Sequence, residues 1–415
     1  MKDNECDLSQ VNLYVGIDWA SESHYYVADA PSGERLREGY FPNSAEGFDA
    51  LLETLDELRG GGDVAVIYEA TRGAIHYALL GLAWLRLCPV NPIKTKKLNE
   101  LDGSAKGKSD PRDATLLCGY LRQKARSLLL NHVEEDSLTL RLREAVNLEA
   151  ELVCRTTKLK QRIGKEINGL CPQLNTLLGD LEKRVYRRYL LERSPLEPSP
   201  AQEIESFLRS NHIHRQDCIE RFLEVHASLR CLGRDRDLQL EQLENIRSMV
   251  EILEATVEQL RRCERRIDAL YSQAPQVAIY RSMPNVGPRI GPRLASLFGS
   301  QPGESYACKA QVLAYFGQSP LTLQTGSKNN KRVRKRMNCQ RRARHTIYLW
   351  ARVSNLNDSS HWPRSYLDKC KERGDGLPTR YRKLGGKLVS ILYRCLVDNI
   401  QYDPSIYMKN LHKKA

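Results

Sequence analysis

"NLYVGIDWASESHYYVADAPSGERLREGYFP" (residues 12–42) reads as three strands laid down one after another. Residues 12–20 are almost continuously apolar up to Asp18, as a strand buried on both faces requires. "HYYVADAP" (24–31) follows closely, the turn "SGE" reverses the chain, and "ERLREGYFP" (34–42) is the third strand, so the three form a meander. Beyond Pro42, the residues Phe48, Leu51, Leu52, Leu55 and Leu58 recur at helical spacing over 44–59. "RGGGD" then turns the chain into a fourth strand, "VAVIYEA" (64–70), with Glu69 near its end. A helix over 73–86, a short strand "LCPVNP" (87–92) and a further helix complete this part.

Three hairpin-linked strands followed by strand–helix crossovers are the order of a ribonuclease-H-like fold. The rest of the chain is helical. Leu138, Leu142, Ala145, Leu152, Leu159, Ile163 and Leu170 share one face of a helix over 138–171. A second long helix, 236–272, carries Leu243, Ile246, Val250, Leu253, Val257, Leu260 and Ile267 in alternating steps of three and four, a heptad seam broken only at Glu264. These helices can pair antiparallel with each other, or with copies in a partner subunit. Residues 172–235, interrupted by "SPLEPSP" (194–200), read as a helical insertion at the tip of this coiled coil. The last part opens on "YRSMPNVGPRIGPRLASLFG" (280–299), similar to a helix-hairpin-helix, whose Gly-rich turn offers backbone amides to a phosphate. Gly287, Arg289 and Gly291 are its candidate contacts, and Asn285 stands where the first turn glycine usually does. The expected fold class is therefore α/β plus all-α in three domains: 1–125, a coiled-coil region 126–275, and a basic helical domain 276–415.

Composition narrows the function. The 415 residues contain no run near the roughly 18 apolar residues of a membrane span, and the N-terminus "MKDNECDLSQ" lacks an apolar signal core, so a cytoplasmic protein is expected. The twelve cysteines are scattered with no C-x-x-C pair, which argues against zinc and for buried thiols in a reducing compartment. From Gln276 onward 26 Lys/Arg face 7 Asp/Glu, a net of +19, whereas the preceding part carries 38 against 44, a net of −6. That asymmetry points to a polyanion, nucleic acid first. The densest run is "KNNKRVRKRMNCQRRAR" (328–344), containing Lys328, Lys331, Arg332, Arg334, Lys335, Arg336, Arg341, Arg342 and Arg344. "NPIKTKKL" (91–98), with Lys94, Lys96 and Lys97, is a smaller basic site. Tyr348 and Trp350 are candidates for base stacking, with helix-core packing the competing role.

Against this basic surface stand four acids. Asp18 ends the first strand, Glu69 the fourth, and Asp110 with Asp113 open a helix in "AKGKSDPRDATLLCGYL" (105–121). Each alone is an ordinary strand-end or helix-capping acid. In a ribonuclease-H-like sheet, however, the first and fourth strands are neighbours and a helix after the fifth can bring two acids to the same edge. Four carboxylates meeting without an Arg partner need cations, and an all-oxygen set suits Mg²⁺ or Mn²⁺. Two such ions about 4 Å apart serve phosphoryl transfer.

"YVGIDWASESHYY", "IYEATRG" and "NPIKTKKLNELDGSAKGKSDPRDATLL" resemble the signature of the DEDD transposases of insertion sequences, which are relatives of Piv-type invertases and include bridge-RNA-guided recombinases. The resemblance continues through "RSMPNVGPRIGPRLASLFG", "AYFGQSPLTLQTGSKNNKRVRKRMNC" and "WPRSYLDKCKERGDG". It implies a RuvC-like catalytic domain with Asp18, Glu69, Asp110 and Asp113 as the metal-binding tetrad. It also implies a nucleophilic hydroxyl, normally a Ser before Gly. Thr325 holds that register before Gly326, and Ser327 is the other candidate. Further implied are DNA at element ends and target, a guide-type RNA, a homodimer through the coiled coil, a tetramer at synapsis, and a bacterial, nucleoid-associated location. Three rivals remain: a sugar kinase of the actin-like fold, for which "GIDWAS" lacks the second glycine; a junction-resolving nuclease using water; and a catalytically weakened nucleic-acid-binding relative.

Overall fold

The computed structural model describes residues 8–69, 74–90, 95, 109–129, 136–179, 181–197, 199–306, 308–324, 331–337, 339–356 and 362–405. The first strands are β1 (Val11–Asp18), β2 (Ser23–Asp29) and β3 (Arg35–Pro42), followed by α1 (Ala45–Arg59) and β4 (Asp63–Glu69). Next come α2 (Ala74–Leu79), β5 (Leu85–Val90) and α3 (Asp110–Leu129). The sheet order is β3-β2-β1-β4-β5, with antiparallel pairs in the meander and parallel pairs β1–β4 and β4–β5. Helix α2 ends at Leu79, earlier than the periodicity predicts, because the chain turns through Gly81 at φ +84° before β5 begins.

Each face of the sheet has its own core. Leu13, Val15, Ile17, Val66 and Tyr68 pack against Phe48, Leu51 and Leu55 of α1. On the other face, Tyr14, Ala65, Ile67 and Val90 meet Ala114, Leu117, Cys118 and Leu121 of α3. β1 accepts a helix on one side only because residue 16 is glycine. A Cβ there would lie 2.3 Å from the Ala114 carbonyl oxygen and 2.6 Å from the Cys118 amide nitrogen. Cys118 donates its thiol to the Tyr14 carbonyl at 3.2 Å, and burial pushes that thiol up to about 12, so it stays a neutral donor.

Two long helices follow, α4 (Ser137–Leu170) and, after the insertion helices α5 (Pro172–Leu178), α6 (Arg184–Glu192), α7 (Ala201–Ser210) and α8 (Gln216–Ala227), α9 (Arg236–Ser272). The heptad seam closes within the chain. Ile163, Ile167 and Leu170 share a core with Leu243, Ile246, Val250 and Leu253, while Leu142, Ala145 and Leu152 share one with Cys263, Ile267 and Leu270, so α4 and α9 run antiparallel. Burying these side chains is the main source of the pair's stability. Helices α5–α8 add Leu174, Tyr189, Ile204 and Phe222 to the core at the hairpin's tip. In this chain the seam is filled by the two helices' own pairing. Leu148, Val153 and Ile252 are exposed on the outer faces.

The basic part comprises α10 (Val277–Ser282), α11 (Ile290–Phe298), α12 (Pro302–Ser305) and α13 (Lys309–Tyr315), then strands β6 (Leu321–Gln324) and β7 (Lys331–Arg334). Helices α14 (Arg341–Leu356), α15 (Trp362–Glu372) and α16 (Leu377–Val397) complete it. The sequence reading had this part all helical; β6 and β7 instead form an antiparallel hairpin in which Gln324 stands opposite Lys331. Trp350 is wholly buried and donates its indole N–H to the Pro284 carbonyl at 2.8 Å, so it is a core residue. Among the described residues no helix is long and apolar enough to cross a membrane.

The Gly16 contact yields a direct test. Gly16→Ala will lower stability by about 1–3 kcal/mol in chemical denaturation, as overpacking does. Gly119→Ala, on α3 itself but with nothing within 4 Å of the new methyl, will not lower it.

Candidate acidic site and basic surface

The sheet register sets the position of the acids. Gly16 stands opposite Ile67 and Ile17 opposite Tyr68, so the next step of the parallel ladder brings Asp18 beside Glu69. Strand residues alternate faces. Tyr14 and Gly16 on β1, and Ala65 and Ile67 on β4, face α3, so Asp18 and Glu69 continue the same two rows. Helix α3 runs antiparallel to β1, with Cys118 over Tyr14 and Ala114 over Gly16. Its first turn therefore arrives where β1 ends. The Ser109 carbonyl accepts from the amides of Arg112 and Asp113 at 3.1 and 3.0 Å, which places Asp110 and Asp113 in that first turn. Negative charge is favoured there by the helix dipole.

Asp18 and Asp113 are buried, and Glu69 and Asp110 are partly exposed. Burying carboxylates at one sheet edge is costly unless cations or hydrogen bonds compensate. An all-carboxylate set fits a hard divalent ion in chemistry. The side chains themselves are not drawn together: among the described residues no group of three His, Cys, Asp or Glu stands close enough to hold one ion. The fold thus brings the four positions to one face and one edge without closing a ligand shell. Lys94, Lys96 and Lys97 lie outside the described residues.

His24 is a neighbour that sequence reading missed. It is fully buried between Phe41 and Phe48, with ring centroids 4.9 and 5.5 Å away. Its Nδ1 accepts from the Ala20 amide at 3.3 Å, which ties down the turn immediately after Asp18. Burial holds its pKa below 6.5, partly opposed by the Asn43 side chain, so the ring is a neutral acceptor. The signal was a histidine opening the aromatic run "HYYV" (24–27), from which its hydrogen bond cannot be read.

The basic candidates divide into groups. Asn285 takes φ +56°, the left-handed conformation for which a glycine is usual, so the turn between α10 and α11 keeps its shape despite the substitution. Arg289 is engaged with Glu149 at 3.3 Å and with Glu264, and Arg293 grips Glu149 through both carboxylate oxygens at 2.8 and 2.9 Å. Gly291 is buried, and a Cβ there would lie 2.5 Å from the Tyr271 hydroxyl oxygen. Both residues thus dock the turn onto the long helices, where a phosphate role was expected; at Gly287 the space is open. Arg342 bonds to Asn147 on α4. Arg336 donates to the Ser319 carbonyl at 3.1 Å, and Arg344 to that of Arg336 at 3.2 Å. Arg334, Lys335 and Arg341 are exposed. Lys331 and Arg332 contribute backbone to β7. Thr325, Ser327 and Lys328 lie outside the described residues, in the segment joining β6 to β7.

Comparison with known proteins meets this geometry on both halves. A family model for DEDD transposases of the IS110 type, described as "Transposase", matches residues 15–172, which include all four acids. A second, described as "Transposase IS116/IS110/IS902 family", matches residues 277–367 in the basic part. The chain belongs to the DEDD transposases of insertion sequences. Similar proteins include one from insertion element IS110 of Streptomyces coelicolor, 24% identical over 408 residues, covering 96% of this chain and 97% of that protein. A protein from insertion element IS116 of Streptomyces clavuligerus is 23% identical over 407 residues, covering 95% and 96%. Another from Streptomyces coelicolor, named as a mini-circle transposase for IS117, is 22% identical over 425 residues, covering 95% and 96%. The actin-like kinase reading is thereby set aside.

Two measurements probe this transposase's local energetics. Glu149 is buried beneath two arginines, so Glu149→Ala will cost about 3 kcal/mol or more by stranding them, read by urea denaturation. Because the folded pKa of His24 is depressed, the unfolded chain binds more protons below pH 6.5. Stability will therefore fall as pH drops below that value, and His24→Phe will flatten this part of the profile.

Proposed function

We propose that this transposase breaks and joins DNA by metal-dependent transesterification at a RuvC-like acidic site, through a covalent hydroxyl–phosphate intermediate. The observation that carries the reading is the row Asp18–Glu69 on the β1–β4 ladder, met on the same face by the first turn of α3 with Asp110 and Asp113. These four would hold Mg²⁺ or Mn²⁺, two per site, which when bound polarises the attacked phosphate and offsets charge built up during transfer. The nucleophile is a hydroxyl of the β6–β7 connection, Thr325 by register and Ser327 as the alternative. It takes over the phosphoryl group and releases a DNA hydroxyl, which attacks in turn after strand exchange and restores the phosphodiester. Lys94, Lys96, Lys97, Gly287 and the run from Lys328 to Arg344 grip the backbone, with affinity that falls steeply with salt. The charge of +19 after Gln276 also supports a guide-type RNA that specifies donor and target.

Acids and hydroxyl belong to separate domains, 1–125 and 276–415, joined by the coiled-coil region 126–275. A dimer would use the outer faces of α4 and α9, where Leu148 and Ile252 are exposed, and a tetramer would form on paired DNA sites. The protein works in the bacterial cytoplasm at the nucleoid.

Incubation with Mg²⁺, element-end DNA and the RNA encoded beside the gene, followed by denaturing electrophoresis, tests the chemistry. A protein–DNA adduct lost in Thr325→Ala and kept in Ser327→Ala is expected. The reverse pattern moves the nucleophile to Ser327. Cleavage with no adduct, insensitive to both changes, replaces this mechanism with that of a water-using nuclease. Asp113→Asn will abolish cleavage while DNA binding persists.

A further inference from the structure

Beside the β6–β7 hairpin the structure forms a cavity of about 430 Å³ between β7, α14 and the start of α16. Four cations line it, Arg334, Lys335, Arg344 and Arg382, together with Tyr348 and Val333. No carboxylate pairs with any of the four among the described residues. Two of these side chains are held in place: Arg382 donates to the Gln318 carbonyl at 2.9 Å and Arg344 to the Arg336 carbonyl at 3.2 Å. Gly317, at φ +66°, also lines it, and a Cβ there would lie 2.7 Å from Cys339 Sγ. Tyr348 is 40% exposed yet fixed, its ring set edge-on against Tyr381 at 5.5 Å.

Unneutralised like charges around one cavity call for an anion. A bare phosphate would use the arginines and leave the tyrosine and valine walls in water. A duplex cannot enter a cavity of this size. A single nucleotide satisfies both halves, its phosphate on the guanidiniums and its base on the aromatic ring, as in sites that take a base out of the stack. We propose that this cavity takes one unstacked nucleotide of a single-stranded or distorted DNA segment, with Tyr348 as the stacking platform and Arg344 and Arg382 on the flanking phosphates. This rests on the strand-joining reading and adds to it the residue-level site that holds the strand open beside the hairpin. Arg382 escaped sequence reading because it lies 38 residues beyond the end of the basic run, on α16.

The test is binding by the full chain, without divalent metal, of a single-stranded oligothymidylate and of an abasic strand of the same length, both about twelve nucleotides. The wild type will prefer the thymidylate by about tenfold, the range of one base–aromatic stack. Tyr348→Ala will erase that preference, and Tyr348→Phe will keep it. Arg382→Ala will weaken both probes and reduce the salt slope by about 0.7. A strand carrying 5-iodouracil will crosslink to Tyr348 in the unaltered protein, which covers the case of a variant that does not fold. Equal loss of both probes in Tyr348→Ala, or crosslinks mapping elsewhere, overturns the proposal. Displacement of both probes by inorganic pyrophosphate, with no preference between them, shows an anion site only and also overturns it. Because the assay needs neither metal nor cleavage, the pocket can survive loss of the covalent mechanism, and adduct formation can survive loss of the pocket.

Discussion

The contact between residue 16 and the backbone of α3 is the constraint on which the acidic site depends. A strand in the middle of a sheet normally keeps a helix at side-chain distance. Here the missing Cβ lets the carbonyl of Ala114 and the amide of Cys118 approach the strand itself. The thiol of Cys118 then pins the helix lengthwise by its bond to the Tyr14 carbonyl. Once strand and helix are fixed in both depth and register, Asp113 and Asp18 have little freedom to part. The positions of the acids are thus set by backbone geometry.

A second constraint works at the other end of the molecule. Glu149 is almost wholly buried on α4, and it is acceptable there only because Arg293 of α11 and Arg289, the residue just before that helix, come to it. This ties the turn between α10 and α11 to the base of the long hairpin. Leu142 and Ala145 of α4 share a core with Leu294, Trp350 and Leu388, so base and basic bundle form a single packed body. The tip of the hairpin has a separate core with α5–α8.

What could be read from sequence followed the strength of periodicity. The meander, the helix after it and the two long helices are strongly patterned, and the second long helix spans 236–272 in the structure as read. The positions of the four acids at two strand ends and a helix start were legible because these are local features, and the ladder sets two of those positions side by side. The β6–β7 hairpin was not, since each strand has only four residues and β7 lies inside a run of cations. Arg289 and Gly291 were read as phosphate contacts because a motif shows residue types, whereas their partners Glu149 and Tyr271 come from other helices. Tyr348 and Trp350 show the same limit: two positions apart on one helix, one packs against Pro284 and the other opens onto a cavity.

The partition of cores bears on how the acids and the cations can meet. Neither core of the sheet includes a residue beyond Leu128 among those described, whereas the basic bundle shares its core with the base of α4 and α9. Two bodies without a common core are positioned by whatever bridges them. The part before Gln276 carries a net −6 and the part from Gln276 onward +19, so a polyanion is drawn to the second body and not to the first.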